Sequence, residues 1–256
     1  MMPLRHDFLP AGLRAALHSA HVGAAIAVQA CQTVEETEWL LACADEAAEV
    51  AAVVGWLPLA TDNLSELLDK VASPHLAGLR HVVQAEPDGF LDNPAFGRGI
   101  AQLTARGLTY DVLIYERQLP EAIRFTDRHS QQQFVLDHAA KPRIAAGELE
   151  PWATNIRELA LRPNICCKLS GLVTEANWSA WNLGTLRPYL DTCVEAFGAD
   201  RLLAGSDWPV CLLASSYAEW WTMLEEYFAA FSADEKQQIF GTNAAAFYHL
   251  PAASKS

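Results

Sequence analysis

Seven short apolar runs recur along this chain, their starts about 30 residues apart, which is the length of one strand–helix unit in a parallel sheet. They span Gly23–Ala30, Val50–Leu59, Leu76–Val83, Leu108–Tyr115, Phe134–Ala139, Ile165–Leu172 and Arg201–Trp208. Most are continuously apolar rather than alternating, the pattern of strands covered on both faces. The segments between them read as helices. Thr33-Val34-Glu35-Glu36 has the form of a capping box, and Leu40, Leu41, Ala44, Ala47 and Ala48 follow it as an apolar stripe. Asn93-Pro94 opens another helix, with proline where no amide is needed, and Gly107 closes it. Further helices are predicted over 10–20, 119–129, 150–161, 185–197, 217–230 and 234–248.

This order is α/β. A doubly wound open sheet would ordinarily carry a glycine-rich phosphate loop after its first strand, and none follows Gly23–Ala30. A TIM-type (β/α)8 barrel fits better, with seven strands recognisable and the first strand missing. No linker or composition shift divides residues 1–256, so the chain reads as one barrel domain.

Composition narrows the partners. A formal net charge of −13, with lysines and arginines scattered, argues against nucleic acid and anionic lipid. The start, Met1 to Asp7, lacks an apolar signal core, and no apolar run reaches the roughly 18 residues that span a bilayer. The six cysteines show no CxxC spacing, which suits reduced thiols and a cytoplasmic location.

Two strands end in groups that can move protons or bind metal. Leu202-Leu203-Ala204 stops in Gly205-Ser206-Asp207-Trp208-Pro209, and Phe134-Val135-Leu136-Asp137 leads into His138, with Lys141-Pro142 beyond. Strand tips at one end of a barrel are where catalytic groups gather. Taken singly, Asp207 could cap the next helix and His138 could be a satisfied core residue. Arg80 and His81 are adjacent on one strand, so only one of them faces the lumen. With Arg80 inward it meets a substrate carboxylate or carbonyl, His81 packs under a helix, and Gln84 assists from the loop beyond. Lys168 and Ser170 share a face, and a lysine in an apolar strand requires a partner, with Asp207 or Asp137 as candidates. Asp111 lies nearer its strand's start and reads as a structural acid. Trp56, Trp152, Trp178, Trp181 and Trp208 could stack on a sugar or serve packing; Trp220-Trp221 suits packing or a contact between copies in a homo-oligomer.

The stretches Gly78–Gln84, Leu108–Asp111, Phe134–Pro142, Cys167–Leu172 and Gly205–Val210, in this order, resemble the amidohydrolase-2 family of TIM-barrel hydrolases. The sugar-lactone lactonase branch is the most similar, and the resemblance runs from about Leu4 to Leu250. It implies a hydrolase that opens a small carbohydrate-derived lactone. Asp207 would activate water, and His138 would polarise the carbonyl or join Asp207 in holding a divalent metal, zinc or manganese. Arg80, His81, Gln84, Lys168, Ser170 and Trp208 would bind the substrate. Members begin with a strand bearing a His-x-His pair; here that strand is absent, so the chain reads as N-terminally truncated and its metal as weakly held or missing. Two alternatives remain open: a metal-dependent decarboxylase of the same fold, and an inactive truncated relative acting as a binding protein.

Overall fold

The computed structural model describes residues 2–250; Met1 and residues 251–256 of the expected domain lie outside them. Each predicted run contains a strand: β1 (Ala25–Val28), β2 (Val50–Gly55), β3 (Leu76–Val82), β4 (Thr109–Leu113), β5 (Phe134–Leu136), β6 (Ile165–Leu169) and β7 (Leu202–Ala204). All neighbours pair in parallel, in the order β1 to β7. The result is a TIM-type wall lacking one strand. β1 and β7 do not pair, and both border a single cavity of about 1260 Å³.

Both faces of the wall are covered, which explains the unbroken apolar runs. On β2, Val53 packs outward with the helices, while Ala52 and Val54 join an inner cluster. The same alternation divides Phe134 and Leu136 from Val135, Cys167 from Cys166, and Leu202 from Leu203. Phe247 and Tyr248, from the C-terminal end of the chain, complete the inner cluster. Burying a side chain of that size stabilises the fold by about 1.5–3 kcal/mol.

The helices are α1 (Pro10–Ser19), α2 (Val34–Glu46), α3 (Leu64–Lys70), α4 (Pro94–Arg106), α5 (Leu119–Arg128), α6 (Trp152–Ala160), α7 (Leu172–Glu175), α8 (Leu183–Phe197), α9 (Tyr217–Tyr227), α10 (Ala233–Gln237) and α11 (Asn243–Phe247). Gly107 ends α4 in the left-handed region, as its sequence position predicts. Several expectations are corrected. Thr33 accepts from the Glu36 amide, but the Glu36 carboxylate reaches past Thr33 to the amides of Ala30 and Cys31, anchoring the loop after β1. Ala48 lies beyond the end of α2 on the exposed side. The single helix expected over 234–248 is broken by a π-turn at Gln238–Thr242, next to Asn243, whose amide donates to the carbonyls of Ala199 and Leu202. Trp220 and Trp221 are both buried, so the pair serves packing. Nothing in the pattern had pointed to α3 or α7.

Candidate active site

β5 does not run straight into a helix. His138, Ala139, Ala140 and Lys141 all take left-handed backbone angles, with φ between 48° and 57°. Four consecutive residues with side chains in that region are costly, about 1 kcal/mol or more each. The surrounding structure holds them there: Ala139 and Ala140 are fully buried, and the Trp152 indole donates to the Ala139 carbonyl at 2.7 Å. Asp207, at the tip of β7, is also left-handed, with φ 56°. The Trp220 indole donates to the nearby Gly205 carbonyl, and the Cys211 amide to the carbonyl of Asp207 itself. Both predicted catalytic residues thus sit on strained, braced backbone.

Their side chains face each other. His138 Nε2 lies 3.5 Å from Asp207 Oδ1, and His138 Nδ1 lies 2.7 Å from Ser170 Oγ. Asp207 Oδ2 is buried with no hydrogen-bond partner. A carboxylate oxygen only accepts, so the proton on the ring belongs on Nε2, and the Ser170 hydroxyl donates to Nδ1. Burial lowers the His138 pKa, against the opposing pull of Asp207 and Asp137, which keeps the ring neutral near pH 7. Gly171 fits tightly over this pair: it has φ 65°, and a Cβ there would lie 2.9 Å from both Asp207 Oδ2 and the His138 ring.

Beneath lies a layer of opposite charges. Arg80 points inward from β3, with Nη1 2.8 Å from Asp137 Oδ2 and Nη2 on the Gln29 carbonyl. Lys168 hydrogen-bonds to Asp111 and lies 2.8 Å from Asp137 Oδ1, out of line for a hydrogen bond, so the second contact is coulombic. The Tyr248 hydroxyl donates to Asp111 at 2.9 Å. Burial pushes Asp111 up, to about 6, against the attraction of Lys168. Burial also works against a charged Asp137, but Lys168 and Arg80 prevail and hold it well below the usual carboxylate range. Two cations face two anions, so the layer has no formal net charge.

Arg80, His138, Lys168, Ser170, Asp207 and Trp208 therefore line one cavity, with Phe8 edge-on to Trp208 at a centroid distance of 5.2 Å. His81 and Gln84 do not line it. His81 points to the other side of β3, where it accepts from the Trp56 indole, reaches Glu86 and stacks on Phe90 at 4.8 Å. Gln84 falls in a 3-10 turn (Val83–Ala85), past the end of the strand. Of the other tryptophans, Trp152 and Trp181 spend their indole N–H groups on backbone carbonyls, and Trp178 is exposed. Of the two partners the sequence offers Lys168, Asp137 is the one it meets, together with Asp111; sequence reasoning missed Tyr248 as a member of the charge layer and Gln29 as a buried cavity residue.

The amidohydrolase family profile matches residues 3–250. An L-fucono-1,5-lactonase of Burkholderia multivorans is 44% identical over 97% of this chain and 88% of its own length. Another, from Burkholderia ambifaria, is 38% identical over 95% of this chain and 86% of its own. A crystal structure of a Burkholderia multivorans amidohydrolase with bound zinc superposes with a TM-score of 0.95 at 43% identity, covering 98% of this chain and 92% of that one. In this chain the described residues contain no group of three or more His, Cys, Asp or Glu side chains placed to hold a metal. His138 and Asp207 offer two ligands where a catalytic zinc ordinarily takes three from the protein, so the residues present do not by themselves fit the ion.

Proposed function

The chain belongs to the amidohydrolase family, and from that premise we propose that it opens a small carbohydrate-derived lactone, of the L-fucono-1,5-lactone kind, by hydrolysis. The observation that carries the reading is the Asp207 carboxylate, whose Oδ2 is buried, unpartnered and set beside a neutral imidazole in a large cavity.

Ring opening is acyl transfer to water. In the first step the Asp207 carboxylate takes a proton from water as the water oxygen bonds to the lactone carbonyl carbon. Negative charge grows on the carbonyl oxygen, and the His138 Nε2–H stabilises it, oriented from behind by Ser170. In the second step the tetrahedral centre expels the ring oxygen, which recovers the proton from Asp207, and the open-chain acid leaves. Arg80 and Lys168, already paired with carboxylates, fix the floor of the site and orient the substrate. Trp208, with Phe8 against it, supplies an apolar wall for the C–H face of the sugar.

The test is product analysis with L-fucono-1,5-lactone, following acid release by a pH indicator in wild type and Asp207→Asn. Hydrolysis by wild type and its collapse in the variant support the reading. Near-normal hydrolysis by a folded Asp207→Asn protein ends it.

A further inference from the structure

We propose that Gln29, together with the Nε–H of Arg80, holds one ring hydroxyl of the substrate, so that the site selects lactones that carry this hydroxyl over those that lack it. The inference rests on the lactone reading above and names what that site recognises besides the carbonyl. Gln29 follows β1, is fully buried and lines the same cavity as Asp207. Its backbone is fixed at both ends: the amide donates to the Val54 carbonyl at 2.8 Å, and the carbonyl accepts from Arg80 Nη2. Its side-chain amide cannot turn over, because Nε2 donates to the Arg80 carbonyl at 3.2 Å and a carbonyl only accepts.

That leaves Oε1 committed as an acceptor, and no donor reaches it. Arg80 Nε, in the same reciprocal clamp, is a buried donor with no acceptor. Buried polar groups without partners are uncommon in folded proteins and costly to keep. The two unpartnered atoms have opposite character, and this identifies the ligand group. A carboxylate would suit Arg80 but be repelled by Gln29 Oε1. An ammonium would suit Gln29 and be repelled by Arg80. A hydroxyl satisfies both, donating to Oε1 and accepting from Nε. An aldonolactone carries such hydroxyls around its ring.

The experiment is a binding cycle by titration calorimetry. The probe is the 1,5-anhydroalditol of the fuco configuration, which keeps the ring and hydroxyls but has no carbonyl to hydrolyse, with its monodeoxy analogues alongside. One deoxy analogue is expected to bind wild type about ten- to a hundredfold more weakly than the parent. Gln29→Met should lose the same factor on the parent and nothing further on that analogue. Losses that multiply, or a Gln29→Met protein equally weakened for every analogue, would mean a structural role and overturn the proposal. Should Gln29→Met fail to fold by circular dichroism, the wild-type series decides. A loss confined to one hydroxyl supports the proposal, and no analogue losing tenfold overturns it. Turnover of the parent lactone, followed separately, tests the reaction, and its failure would leave the binding result for Gln29 standing.

Discussion

The lumen contains two groups of charged residues a few ångströms apart, and they are built on opposite rules. In the lower layer, Arg80, Lys168 and Asp111 are held on strands, Asp137 directly after β5 and Tyr248 near the C-terminal end of the described residues, and each charge meets an opposite one. In the upper group, His138 and Asp207 sit past the strand ends on left-handed backbone, and one carboxylate oxygen has no partner. Satisfied charges on regular backbone hold a shape, whereas an unsatisfied charge on strained backbone keeps an interaction in reserve for something that arrives later. Under the proposed reaction the lower layer serves mainly as scaffold, with only Arg80 Nε left over for the substrate, and the upper group carries the chemistry, although both are buried.

Mutation can break that division. Lys168→Met strips both Asp111 and Asp137 of their shared cation, and urea unfolding should show a loss of about 3–5 kcal/mol. A loss near that of an exposed pair, below about 1 kcal/mol, would remove the lower layer from the scaffold. Asp207→Asn should do the reverse, cutting kcat by about a hundredfold or more while leaving Tm unchanged or higher. A large fall in Tm would place Asp207 with the scaffold. Gly171→Ala should touch both properties, since it forces a methyl against Asp207 and His138 at φ 65°. We expect a loss of about 1–2 kcal/mol in stability, together with a clear fall in kcat.

The smallest effect concerns pH. Burial lowers the His138 pKa from its usual 6.5, so the unfolded chain takes up that proton at higher pH than the folded one. Stability contributed by the neutral ring is complete well above 6.5 and is lost as pH falls through 6.5 toward the lowered folded value. His138→Asn, which tolerates the left-handed angle, should flatten the stability–pH slope in that acid range relative to wild type. Parallel slopes would show that His138 titrates alike in both states.

The strands were legible because a parallel strand covered on both faces leaves an unbroken apolar run, and β1 to β7 all fall inside such runs. The tips proposed to carry the reaction stand out for the same reason, since Asp207 and His138 interrupt those runs at the strand ends. Parity established that only one of Arg80 and His81 turns inward, but the sequence left both as binding candidates. Gln84 lies beyond β3, as expected, but in a 3-10 turn that does not border the cavity. The lower layer was mostly illegible. Asp111 meets Tyr248 across 137 positions, and no local pattern encodes a contact of that kind. Gln29 carries no signal in the sequence, because what sets it apart is an unpartnered buried oxygen, a property of the folded chain.

The cancellation of charge in the lower layer has a bearing on traffic through the site. The nearby Lys141–Glu175 pair cancels as well, leaving Asp207, above that layer, as a carboxylate without a cationic partner among the described residues. Under the proposed reaction a neutral lactone enters without electrostatic hindrance, but it leaves as a carboxylate, sharing the cavity with Asp207 inside a chain of net charge −13. Repulsion then acts on the product alone. The same carboxylate that admits water to the ring drives the acid out, and it biases the direction in which the cavity empties.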